Sequence, residues 1–424
     1  MATPAEPDTA IAGEQLDTLV MVLNLVRSGA ATTRPEVGRQ SGLGRTVVTQ
    51  RVLQLIERGL VIDDELGPST GGRAPRRLRF RAEAGIILAV EFGATSLAAG
   101  ITNLAGRLLQ HREEPWDIGA GPEASLSRVE ELFDAMLAAD QAYAGKLWGI
   151  GVGLPGPVEF ASGKPVAPPI MPGWHSYPVR ERLSTRYGVS VWVDNEVNTM
   201  ALGEFRAGLG QKIRDLIYVK IGTGIGAGLI SDGRLHRGAQ GCAGDIGHVA
   251  IVDDSSVICR CGNVGCLEAL AGGAAIARDA NLAAAEGKSP ALAALRAAGQ
   301  SIDARDVARA AESGDLACIE LLTRAGQRIG EMLATLVNFY NPSLIIIGGG
   351  VAASGERLLT AIRKAVYRRS LPLATRDLQI AFSPLDDRAG LMGAGFMVTD
   401  ELFSRERLGS WIDRGSPAGE RPAR

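Results

Sequence analysis

Three glycine-rich turns, each set against a strand-like apolar run, limit what this chain can fold into. Ile86–Phe92 leads into Gly93-Ala94-Thr95, after which Leu97–Thr102 returns, with a turn at Asn103–Gly106 and a further strand near Leu108. Leu216–Ile221 and Gly226–Ile230 flank a second turn, Gly222-Thr223-Gly224-Ile225-Gly226-Ala227-Gly228. Leu344-Ile345-Ile346-Ile347 runs into Gly348-Gly349-Gly350 after a long apolar helix that ends near Tyr340. Short apolar runs bounded by turn residues read as buried strands. Glycine at alternate positions lets backbone N–H groups approach an anion. A buried strand followed by glycines is where a nucleotide or sugar sits in an α/β crevice. The candidate nucleotide-loop residues are therefore Gly93, Thr95, Gly222, Thr223, Gly224, Gly348 and Gly349. The 54 Gly, against 9 Phe and 6 Tyr, suit an α/β protein with many tight turns.

Ahead of these units lies a basic head. From Arg27 to Arg81 there are eleven Arg, no Lys and five acids, a local charge of +6 in a chain whose net charge is -2. A basic head on an acidic body is the electrostatic footprint of a DNA-binding domain. Leu16, Leu19, Val20, Leu23 and Val26 recur at helical spacing, and Gly29 stops that helix. Thr33 and Glu36 have capping-box spacing with Pro35 in the first turn, opening a short helix to about Gln40. Ser41-Gly42-Leu43 turns into a third helix from Arg45 to about Arg58, with Val48, Val52, Leu55 and Ile56 inward. This is helix-turn-helix spacing. Arg45, Thr46, Thr49, Gln50 and Arg51 are read as outward residues that contact base edges or phosphate. Leu60-Val61-Ile62 and Leu78-Arg79-Phe80 enclose a turn-rich segment, giving a hairpin wing whose tip, Gly71-Gly72-Arg73, suits a narrow minor groove.

One His and three Cys form the sharpest motif. Gly247-His248 is followed after ten residues by Cys259-Arg260-Cys261-Gly262 and then Gly265-Cys266. His248, Cys259, Cys261 and Cys266 make a closed Cys3His set with no position left for water, which reads as structural zinc. Cys242 and Cys318 lie outside the pattern and read as plain core residues. No apolar run approaches the roughly 18 residues that span a membrane. The first residues, Met1–Glu14, lack the basic and apolar regions of a signal peptide, so a cytoplasmic location is expected.

The three glycine units resemble the duplicated actin-like ATPase (ribonuclease H-like) fold of sugar kinases. The chain is similar, over about residues 16–400, to the ROK (repressor, open reading frame, kinase) family. Val193-Asp194-Asn195-Glu196-Val197-Asn198 with Ala201-Leu202-Gly203-Glu204 resembles that family's catalytic-acid segment. Gly244-Asp245-Ile246-Gly247-His248 resembles its sugar motif, and Pro155-Gly156-Pro157 and Pro172-Gly173-Trp174 its sugar-side loops. The wing string matches the repressor branch. The resemblance implies zinc at the Cys3His set. It implies sugar contacts from Asn195, Glu196, Asp245, His248 and Glu268, with His248 shared between metal and pocket. Asp245 stands where the family's kinases usually have Glu.

The resemblance also carries a departure. The family's kinases have Asp as general base and Asp in the first phosphate loop, where this chain has Glu196 and Glu91, and Ala94 stands for a Gly. An extra methylene moves each carboxylate by more than about 1 Å, and misplacement of that size can cost about a hundredfold in rate. The expectation is a site that keeps its shape and has lost its chemistry, in a DNA-binding repressor of carbohydrate genes tuned by a sugar. An ATP-dependent sugar kinase is the alternative. Expected partners are a double-stranded operator with an inverted repeat, a sugar effector, and a second copy of the chain as homodimer or dimer of dimers. The expected divisions are a disordered leader (1–14), a winged helix-turn-helix (15–82), two lobes (83–200 and 201–400), and a partly disordered tail (401–424).

Overall fold

A computed structural model of the chain describes residues 13–66, 76–253, 256–351 and 355–418. It opens on three helices, α1 (Gly13–Arg27), α2 (Arg34–Ser41) and α3 (Arg45–Glu57). The antiparallel pair β1 (Val61–Leu66) and β2 (Arg76–Phe80) follows them. Helix α1 buries Leu19, Val22, Leu23 and Val26, one stripe at helical spacing. The Thr33 hydroxyl caps α2 by accepting from the Glu36 N–H. Glu36 in return accepts from the N–H and hydroxyl of Thr32, one residue ahead of the cap. These bonds hold the Glu36 carboxyl below its usual range. Gly42 ends α2 with a left-handed φ of 70° and turns the chain into α3. The expected wing-tip residues Gly71, Gly72 and Arg73 lie outside the described residues.

Two five-stranded sheets with the same plan form the body. The first unit runs β3 (Ile86–Phe92), β4 (Ser96–Asn103), β5 (Leu108–Pro115), α4 (Pro122–Ala138), β6 (Leu147–Leu154), the short pair β7 (Val158–Glu159) and β8 (Lys164–Pro165), α5 (Val179–Tyr187) and β9 (Ser190–Asn195). Helix α6 (Glu196–Ala207) leads to the second unit: β10 (Leu216–Ile221), β11 (Ile225–Ser231), β12 (Arg234–His236), α7 (Leu267–Ala271), α8 (Gly273–Ala285), α9 (Pro290–Ala297), α10 (Ala304–Glu312), α11 (Leu316–Tyr340), β13 (Leu344–Gly348), α12 (Glu356–Arg369), α13 (Pro372–Thr375) and β14 (Gln379–Phe382). Helices α14 (Arg388–Leu402) and α15 (Arg405–Trp411) close the chain. The sheet orders are β5-β4-β3-β6-β9 and β12-β11-β10-β13-β14. In each, an antiparallel three-stranded meander is extended by two parallel strands. This is the expected duplicated actin-like plan. Strands β3 and β13 are buried along their length, which is why they read as apolar runs, interrupted in β3 by Glu91.

The lobes do not divide at residue 200. Helix α14 packs on β3, β4 and β6 of the first sheet and crosses α6, so the end of the chain returns to the first lobe. Glycines permit the crossing: a Cβ on Gly203 would stand 2.0 Å from the Ala389 carbonyl oxygen, and one on Gly393 1.7 Å from that of Thr199. The described part of the tail is not loose either. Leu402, Phe403, Leu408, Trp411 and Ile412 join Leu19, Leu23 and Leu55 of the head in one hydrophobic core. The stripe was hidden in sequence because Arg, Gly and Ser separate its apolar members. Asp400 of α14 accepts from Arg27 of α1 at 2.8 Å and from Arg206 of α6 at 2.9 Å, tying three helices together.

Candidate functional site

Between the sheets lies a cleft of about 720 Å³, bounded by all three glycine turns. Glu91 closes β3 inside it, and Glu196 opens α6. Asn195 is the cap of α6: its side-chain Oδ1 accepts from the Val197 N–H at 2.8 Å, and its Nδ2 donates to the Gly156 carbonyl at 2.8 Å. It therefore fixes the Pro155-Gly156-Pro157 loop to the helix while lining the cleft. Asp194 beside it is buried, with Arg237 Nε 2.7 Å from one oxygen. The Arg237 guanidinium stacks on Phe160, 3.7 Å from the ring centroid.

Asp245, His248 and Glu268 face the same space from the second lobe. Asp245 is exposed and makes no capping bond to the turn it precedes. Glu268 accepts from the Ile225 N–H at 3.1 Å, which pins the second glycine turn to the start of α7. A Cβ on Gly224 would stand 2.2 Å from Glu268 Oε2, so any side chain there would displace that carboxylate. Gly244, at φ +97°, is required because a Cβ would stand 1.9 Å from the Ala227 oxygen.

Four sequence readings change. Gly348 lies inside β13 with its α-carbon against Tyr218, and Gly349 and Gly350 reach the cleft instead. Trp174 is fully buried against Phe92 and does not line the cleft. Cys242 is exposed in the cleft, whereas Cys318 is buried as expected. Arg51 is buried: its Nε donates to the Thr18 hydroxyl at 2.7 Å and its guanidinium to Gln54 at 2.9 Å. It sits one place before Val52 on the face turned to α1, so it joins the head's helices and leaves Arg45, Thr46 and Gln50 exposed, with Thr49 half-buried.

Glu91 is 7% exposed, and its Oε2 has no hydrogen-bond partner. Burial lifts its carboxyl to about 8 against the pull of Lys220. The folded chain thus holds a proton here that the unfolded chain releases near its ordinary value of 4.5, so this contribution to stability falls as pH rises towards 8. Glu91→Gln copies the protonated shape. It should flatten the decline of thermal stability between those pH values, and an unchanged pH profile would contradict the assignment.

His248, Cys259, Cys261 and Cys266 converge, all four ligand atoms lying within 4.8 Å of one another. His248 Nδ1 is 3.5 Å from Cys259 Sγ, and the Sγ atoms of Cys261 and Cys266 are 3.8 Å apart. Tetrahedral bonds of about 2.0–2.3 Å impose ligand separations of this size, so the set fits a metal ion. With Nδ1 on the cluster side, Nε2 is left for the cleft. Lys220, the cation bound to Glu196, had no sequence signal, because a strand Lys in isolation reads as a solvated charge.

A model described as the ROK family matches residues 87–401. The chain is 31% identical over 386 residues to a xylose repressor of Caldicellulosiruptor bescii, covering 91% of this chain and 96% of that protein. It is 30% identical over 318 residues to a glucokinase of Halalkalibacterium halodurans, covering 75% of this chain and 96% of that protein. A crystal structure described as a ROK family transcriptional regulator, homolog of the E. coli MLC protein, matches with TM-score 0.81 at 23% identity, over 95% of this chain and all of that one, a likeness of fold.

Proposed function

The chain belongs to the ROK family, and on that premise we propose that it is a sugar-responsive transcriptional repressor of carbohydrate genes. One observation carries the reading: similarity to a repressor spans 91% of the chain, where similarity to a glucokinase spans 75%. The difference leaves room for the basic helix-turn-helix, which a plain kinase does not need. In this reading the exposed start of α3 enters the major groove, and two copies read an inverted repeat, since one helix reads only a few base pairs. The sugar sits among Asn195, Glu196, Asp245, His248 and Glu268. Zinc, held by His248 and the three thiols, is structural and fixes the pocket wall.

The cleft keeps the frame of a kinase site. The carboxylate at the base position is already engaged by an ammonium, and burial favours the protonated form of Glu91. Phosphoryl transfer depends on placed charge, so both features disfavour it. The test pairs operator binding with a panel of neutral monosaccharides. Arg45→Ala and Gln50→Ala should relax base preference, and a sugar that shifts thermal stability should change operator affinity at least fivefold. Asp245→Ala should remove that response and leave unliganded operator binding intact. Equal operator binding by a chain lacking residues 1–82 would end the repressor reading. Turnover of Mg-ATP and sugar at several per second, lost in Glu196→Ala, would establish the kinase.

A further inference from the structure

The sugar-site reading leaves Lys220 without a role. It stands on β10, two residues before the second glycine turn, and its Nζ is 2.5 Å from Glu196 Oε2. The two side chains are only 16% and 9% exposed. Glu91 lines the same cleft within reach of the Lys220 charge, with its unpartnered Oε2 buried. The charges that act on Glu91 are Lys220, Glu196, Glu113 and Asp387. Arg305 stands on the Glu113 side. Glu91 thus feels three other carboxyl groups and one half-buried ammonium, which is bound to Glu196, and its own Oε2 lacks a partner.

Oxygen-rich acidic sites of this kind take hard divalent cations. A lysine ammonium is a compact point charge with three donors. It can hold one carboxylate and neutralise it, and at these short distances it repels a second cation strongly. We propose that Lys220 is the resident cation of the cleft: its ammonium occupies the place between Glu196 and Glu91 that a divalent ion would take, and so closes this end to metal–phosphate ligands. The idea deepens the reading of the cleft as a sensor without turnover. It adds that selectivity for neutral sugars is built in by one residue, because a metal–nucleotide has nowhere to put its metal.

The probe is Mn²⁺ alone, followed by paramagnetic resonance of the free ion, on the full chain with its thiol site loaded with zinc. Neither sugar nor nucleotide is present, so the outcome is independent of whether the chain has turnover. The wild type should show no site tighter than millimolar. Lys220→Ser should gain one that is at least tenfold tighter, and Lys220→Ser with Glu91→Gln should lose that gain. No gain in a folded Lys220→Ser protein would overturn the proposal. So would tight Mn²⁺ binding by the wild type that Glu196→Gln removes, an arm that holds even if the lysine variant fails to fold.

Discussion

Cys261→Ser is expected to lower thermal stability sharply and to abolish the sugar response in the same variant. Among the described residues of 249–266, the buried side chains are those of Cys259 and Cys266, both members of the cluster. Val249, Val252, Ile258 and Val264 are exposed, Ile258 by 73%, and the strand pairing among the segment's described residues consists of isolated bridges at Ala250–Cys266 and Ile258–Val264. A segment that buries so little apolar surface must be fixed by something other than its own packing. Structural zinc supplies on the order of 10–16 kcal/mol in small zinc peptides, and a serine hydroxyl is a poor substitute for a thiolate. Burial pushes the Cys266 thiol up to about 12 and raises that of Cys259. Ion uptake therefore releases protons, and retention weakens as pH falls. His248 belongs to both cluster and cleft, so loss of the ion frees the ring that would face the sugar. Elemental analysis of native protein, then thermal shifts with and without chelator and sugar, checks this. Zinc-free native protein, or an intact sugar shift in Cys261→Ser, would sink the claim.

The strands and the four metal-type ligands were legible because both signals are local. A buried strand announces itself as five to seven apolar residues, and the ligand set as a spacing between residues that share one loop. The head's helices were legible for the same reason, down to the Thr33 cap. Arg51 was misplaced because helical periodicity fixes a face only to within one residue. Arg51 turns inward beside Val52 when it finds acceptors at Thr18 and Gln54, while Leu53, two places on, is left 47% exposed. Gly348 was misplaced because a strand's last residue and a turn's first are alike in sequence. Lys220, Arg206 and Asp400 could not be found at all. Each acquires its meaning from a partner at least 24 positions away, and pairing at that distance leaves no local pattern.

Trp411→Ala should cost about 3–5 kcal/mol, the range for deleting a fully buried aromatic, and should detach the reading head from the sensing body. Trp411 is completely buried and donates its indole N–H to the Leu402 carbonyl at 3.0 Å. Its ring lies 5.3 Å from Trp148 of β6 and 5.7 Å from Phe403, which in turn packs on Phe80 of β2 at 5.6 Å. The Arg27 guanidinium covers Phe403 from α1, 5.3 Å from its centroid. This aromatic group is where head, first sheet and tail meet. Helix α6 runs from Glu196 in the cleft to Arg206, and α14 from beside Asp387 in the cleft to Asp400. Both helices therefore end at the Arg27–Asp400–Arg206 junction, so a shift at the sugar site reaches α1 along them only while the tail keeps α1 seated. Trp411→Ala should then retain the sugar-induced thermal shift and lose most of the change in operator affinity, with Trp411→Phe intermediate. Urea unfolding gives the stability change, and operator titration with and without sugar gives the coupling. A loss below about 1 kcal/mol, with coupling intact, would mean that the tail only lies against the head and that the junction ion pairs carry the signal alone.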